Sequence, residues 1–111
     1  MGIEAGACYQ VSTTAGSPEE ARELARSSVR ERLAACGQVI GPITSAYWWE
    51  NQLDETEEWL VLLKTTDDRR DDLIKHLRSA HSYQVPEIIC TPVSTGDPTY
   101  LAWVLAETRR P

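Results

Sequence analysis

The residues of this chain best suited to chemistry are two histidines, three cysteines and several carboxylates, and their spacing limits what they can do. His81 follows a predicted helix and precedes Tyr83 and the pair Pro86-Glu87. An imidazole there can answer the negative end of the helix dipole when charged, or act as a metal ligand when neutral, and both readings stand. His76 lies inside the same helix beside Leu77 and reads as a partly exposed helical histidine. Cys36 closes the amphipathic stretch Leu33-Ala34-Ala35-Cys36 and reads as a buried, inert thiol, as do Cys8 and Cys90 on strands. The three cysteines are odd in number, far apart and without a C-x-x-C pair, so no disulfide framework, zinc ribbon or thioredoxin-like motif is expected. The acidic run Asp54, Glu55, Glu57, Glu58 reads as a solvated hairpin. Asp67, Asp68, Asp71 and Asp72 complement the positive end of a helix, and neither run has the ligand spacing of a hard-cation cage. Glu58 and Lys64 share strand parity beside an apolar sheet face, which makes them either an ion pair near an interface or part of a polar ligand pocket. With no G-x-S-x-G, glycine-rich phosphate loop or H-E-x-x-H in the chain, enzymatic activity is not expected.

These residues must be positioned by a single domain, because 111 residues suffice for one core. A short tail is expected over residues 1–6 and one domain over 7–111. Seventeen acids against eleven bases give a net charge of −6, which argues against a nucleic-acid partner, since a duplex-binding face must be basic. The longest apolar run, Trp59–Leu63, is far short of the roughly 20 residues of a membrane span, so no membrane association is expected. The first residues lack a basic segment followed by an apolar one, so the expected address is cytoplasmic.

Periodicity and punctuation give the elements. Residues 7–14 alternate as a strand. Ser17-Pro18-Glu19-Glu20 starts a helix through a capping box, its stripe running through Ala21, Leu24, Ala25, Val29 and Leu33 to a stop at Gly37. Gly41-Pro42 punctuates the chain, so a strand is expected from Ile43 to Glu50, a turn at Asn51, and a return strand from Glu57 to Thr66. A second helix is expected over 68–80, buried through Leu73, Ile74 and Leu77. A strand follows from Glu87 through Cys90, and Gly96-Asp97-Pro98 opens a last helix. The order β-α-β-β-α-β predicts an α+β, ferredoxin-like antiparallel sheet with both helices on one face and an additional C-terminal helix. Tyr47, Trp48 and Trp49 point bulky aromatics to both faces of their strand, and on the return strand Trp59, Val61 and Leu63 take one face while Leu60 and Leu62 take the other. A sheet face that no helix covers is usually polar, and this one is not, so it is expected to pack on another copy.

Five segments together resemble the CutA divalent-cation tolerance family: Leu33-Ala34-Ala35-Cys36, Tyr47-Trp48-Trp49-Glu50, Leu63-Lys64-Thr65-Thr66, His81-x-Tyr83-x-x-Pro86-Glu87 and Tyr100-x-x-Trp103. The resemblance implies a ferredoxin-like fold, a cytoplasmic homotrimer joined sheet to sheet, a link to copper and other divalent-metal tolerance, and an architecture similar to the PII signal proteins, which bind effectors between subunits. The trimer interface is expected at Tyr47, Trp48, Trp49 and Trp59, and a ligand pocket at Glu58, Lys64, Tyr83 and Glu87. Some members of the family carry a strand cysteine and two adjacent histidines proposed as copper ligands. This chain has Ser12, Ala80 and His81 there, and a hydroxyl cannot replace a thiolate as a soft ligand. No cofactor is expected to be required. Cu²⁺ or another divalent cation is expected to bind modestly, through His81 more than any cysteine, with help from another subunit, Glu58 or water. A PII-like small-molecule-binding trimer and a structural scaffold are the alternatives.

Overall fold

The computed structural model describes residues 7–109; the tail expected over 1–6 and the last two residues of the domain lie outside the described residues. The elements are β1 (Cys8–Ala15), α1 (Pro18–Arg30), β2 (Cys36–Trp49), β3 (Gln52–Thr66), α2 (Arg70–Ala80), β4 (Ile88–Pro92) and α3 (Pro98–Glu107). The strands form one antiparallel sheet in the order β2-β3-β1-β4. This is the expected α+β, ferredoxin-like arrangement with its additional helix.

The start of α1 follows from its sequence. The Ser17 hydroxyl accepts the Glu20 N–H at 3.1 Å, and Pro18 sits where a missing N–H costs nothing. Its end does not follow, because Gly37 is not the stop. The helix finishes at Arg30, and Arg32 takes a left-handed φ of 60° while the N–H groups of Leu33 and Ala34 return to the Ser28 carbonyl. The buried Arg69 guanidinium holds this turn, donating to the carbonyls of Arg32 and Glu31, each at 3.3 Å. Gly37 lies instead in β2, where a Cβ would sit 2.8 Å from Leu63 Cδ2. That close approach, rather than a helix terminus, is why a glycine occupies the site.

Strand β2 also starts earlier than expected. Gly41-Pro42 falls within it, at the register irregularity between Ile40 and Ile43, instead of before it. A Cβ on Gly41 would run into the Trp59 indole, so glycine there admits the ring. Glu50 and Asn51 form a two-residue hairpin turn with φ of 49° and 64°, the positive values such turns demand. Beyond it the acidic run pairs in register, Tyr47 opposite Asp54 and Ala46 opposite Glu55, so β3 begins at Gln52 and not at Glu57. Pairing with β1 starts only at Trp59. Residues 43–49 and 52–58 therefore form a two-stranded arm, and the molecule measures 51 × 26 × 21 Å.

The main core lies on one face of the sheet, where Val11, Ala15, Val61 and Leu63 meet Leu24, Leu73 and Leu77 of α1 and α2. Each buried leucine contributes roughly 1.5–3 kcal/mol. Helix α3 packs at one end of the opposite face. Val104, Leu101 and Leu105 pack with Cys8 and Ala35, and Thr108 Oγ1 lies 3.2 Å from Thr66 Oγ1. The rest of that face stays open: Ile40 and Ile89 are about half exposed, with Leu60 and Leu62 partly covered between them.

Candidate functional site

The segment leaving α2 is fixed by a chain of polar contacts. His81 ends the helix through its backbone N–H to the Leu77 carbonyl, and its side chain is fully buried. Nε2 lies 2.7 Å from the Thr14 carbonyl and must donate to it, while Nδ1 accepts the Tyr83 N–H at 3.2 Å. This pattern fixes one neutral tautomer and leaves no ring nitrogen for a metal. In this geometry the expected ligand is a positioning residue. The sequence places an imidazole at a helix end; the fold brings a β1 carbonyl against it.

Glu20 supplies the other half of the clasp. Its carboxylate accepts the Ser82 N–H and hydroxyl, both at 2.9 Å. Burial alone would raise this carboxyl, but the two Ser82 bonds, nearby His81 and the Gly16 N–H together hold the group below its ordinary value of 4.5.

Tyr83, placed by that clasp, donates its hydroxyl to Glu58 Oε2 at 2.8 Å. Burial, reinforced by Glu58, keeps the phenol protonated far above its usual range. Glu58 is 7% exposed and belongs to none of the ion pairs among the described residues. Together these side chains border a cleft of about 600 Å³. The arm lines it with Ser45 and the aromatics Tyr47, Trp48 and Trp49, and the 81–87 segment with Tyr83, Val85 and Glu87.

Of the expected pocket residues, Glu58, Tyr83 and Glu87 share this cleft and Lys64 does not. Lys64 shares the parity of Glu58 but sits roughly 20 Å further along β3 at about 3.3 Å per residue. Its ammonium donates to Gln38 Oε1 at 3.0 Å. Of the expected interface residues, Tyr47, Trp48 and Trp49 are on the arm and exposed, Trp48 by 72%. Trp59 packs inward instead, against the main core and Gly41, because its parity on β3 is that of Val61 and Leu63.

The other candidates are dispersed. His76 Nε2 is 2.8 Å from Ser27 Oγ and ties α2 to α1. Cys8 and Cys90 are free thiols whose pKa values burial raises, which makes them poor thiolates. Cys36 Sγ lies 3.2 Å from the Tyr100 hydroxyl, and burial together with Cys36 pushes that phenol up to about 12. Ser12 stands between Leu62 and Ile89 on the open face. Among the described residues, no group of three or more His, Cys, Asp or Glu side chains is arranged to hold a metal ion. Sequence reasoning missed Glu20 and Thr14: Glu20 was legible only as part of a capping box, and no local spacing links it to Ser82.

Comparison with known proteins agrees with this architecture. The family model for the CutA1 divalent ion tolerance protein matches residues 9–107. A divalent-cation tolerance protein CutA from Escherichia coli is 41% identical over 96 residues, covering 86% of each chain. The chloroplastic protein CutA 1 of Oryza sativa subsp. japonica is 37% identical over 99 residues, which are 89% of this chain and 56% of the rice protein. The crystal structure of CutA1 from Oryza sativa superposes with a TM-score of 0.91 at 34% identity, covering 96% of this chain and 98% of the other.

Proposed function

Because this chain belongs to the CutA1 divalent ion tolerance family, we propose that it acts in divalent-cation tolerance, copper included, as a cytoplasmic homotrimer that binds metal weakly and catalyses no reaction. The observation that carries this reading is the donor set. Glu58 and Glu87 are the carboxylates of the cleft, His81 is committed to Thr14 and Tyr83, and two of the three thiols are held protonated by burial. Such a set holds a divalent cation only with water or a second copy completing the shell. Three unpaired cysteines suit a reducing compartment. The apolar surface of Ile40, Leu60, Leu62 and Ile89 suits a sheet-to-sheet contact. Calorimetric titration with Cu²⁺ tests the metal reading: binding weaker than about 1 µM, reduced in Glu58→Gln, is expected. A nanomolar site indifferent to both cleft carboxylates would refute it.

The volume and aromatic walls of the cleft favour a second reading, a PII-like trimer that binds a small molecule, with metal incidental. A cleft of about 600 Å³ is far larger than a bare ion needs and lies within the roughly 300–1,000 Å³ of small-molecule sites.

A further inference from the structure

We infer that the cleft between the hairpin arm and the 81–87 segment binds a small organic amine, its ammonium seated on Glu58 and its hydrocarbon chain against Tyr47, Trp48 and Trp49. The inference rests on the small-molecule reading and names its ligand class. Its first ground is an unanswered charge. Glu58 is 7% exposed, and one of its oxygens accepts the Tyr83 hydroxyl. Among the described residues it takes part in no ion pair, and no further hydrogen bond engages its carboxylate. Its other oxygen is still reached by solvent, since Thr13 Oγ1 is the one fully buried side-chain polar atom without a partner among the described residues, and a largely buried carboxylate with one oxygen open is a ready seat for a cation. The lysine that shares its strand face, Lys64, is bound to Gln38 instead.

The second ground is the lining. It includes a second carboxylate, Glu87, and among the described residues no Lys, Arg or His, so the field these residues set inside favours a cation. A hard cation such as Mg²⁺ or Ca²⁺ wants about six or more oxygen ligands in a compact shell. Among the described residues this cleft offers two carboxylates and four aromatic side chains. Aromatic faces attract organic ammonium groups through the negative face of the ring quadrupole. Two carboxylates and an apolar wall in one cleft match a short linear diamine. The same group could also arrive as a lysine or arginine of a second copy, and the experiment separates the two sources.

The probe is 1,4-diaminobutane, titrated into the protein at fixed ionic strength and followed by tryptophan fluorescence and calorimetry. Butane-1,4-diol, MgCl₂ and ADP are run beside it, and light scattering reports the assembly. Saturable binding of the diamine, no binding of the diol, at least a tenfold loss in Glu58→Gln and a smaller loss in Glu87→Gln, all at unchanged mass, are expected. Equal binding of the diol, or full affinity in Glu58→Gln, overturns the inference. So does MgCl₂ competing at equal concentration. Diamine binding only after the assembly is split by Ile89→Lys would assign the carboxylate to a second copy's side chain and also overturn it. Binding of ADP without the diamine refutes the amine class and leaves the small-molecule reading standing; binding of no organic probe ends both.

Discussion

At the residue scale, the polar side chains that matter here hold backbone before they meet any ligand. His81 and Glu20 anchor opposite sides of one segment, the first to Thr14 and Tyr83, the second to Ser82. His81→Ala leaves a carbonyl and an N–H without those partners, at roughly 1–3 kcal/mol each. Urea unfolding should show a loss of about 2–6 kcal/mol, partly recovered by His81→Gln, whose amide reaches where Nε2 stood. Glu20 makes the acid limb testable. Its folded pKa lies below the ordinary 4.5, so its contribution is fully present above that value and is lost as pH falls through the lower, folded one. Glu20→Gln should cost about 1 kcal/mol near neutrality and flatten the stability profile below about pH 4.5. An acid limb identical to the parent's would show that the Ser82 contacts carry no linkage.

At the element scale, glycines and turns place the arm. Gly37 and Gly41 admit Leu63 and Trp59 against β2, and a side chain at either position forces neighbours to move. Gly37→Ala should destabilise by about 1–3 kcal/mol through overpacking against Leu63 and Ala25. A melting temperature equal to the parent's would show that Leu63 has room to turn away. The arm itself is a two-stranded ribbon beyond the last β1 contact, and such ribbons are marginal in water alone. The Tyr83–Glu58 bond braces it at its root. Its outer end carries Trp48 and Leu53 opposite one another, 72% and 66% exposed.

At the scale of the whole molecule, the arm and the open half of the sheet are apolar surfaces left exposed by the described residues. Both suit assembly, which would tie stability to protein concentration. Light scattering at micromolar concentration should give three times the 12.4 kDa of one chain. Ile89 is half exposed in the single chain, so Ile89→Lys should not disturb the core. It should lower the mass to that of one chain while far-ultraviolet circular dichroism keeps its shape. A trimer that survives this substitution places the contact on another surface.

Much of the fold was legible because its signals are local. Ser17-Pro18 and Asp97-Pro98 mark helix starts through caps that act within one turn. The alternation of Val61 and Leu63 with Leu60 and Leu62 assigns sheet faces through the period of a strand. Asn51 marks the hairpin because few residues accept a positive φ. Gly37 and Gly41 read locally as punctuation, the commonest meaning of a glycine, whereas in the fold they answer to Leu63 and Trp59 on another strand. The same division holds at the site. Glu58, Tyr83 and Glu87 could be named as polar residues near an apolar face, and the fold does bring them to one cleft. That His81 is committed to Thr14, that Glu20 clasps Ser82, and that Lys64 lies with Gln38 were decided by tertiary structure. A side chain's chemistry is written in its residue type, but whether its lone pairs remain free depends on which distant backbone the fold lays against it.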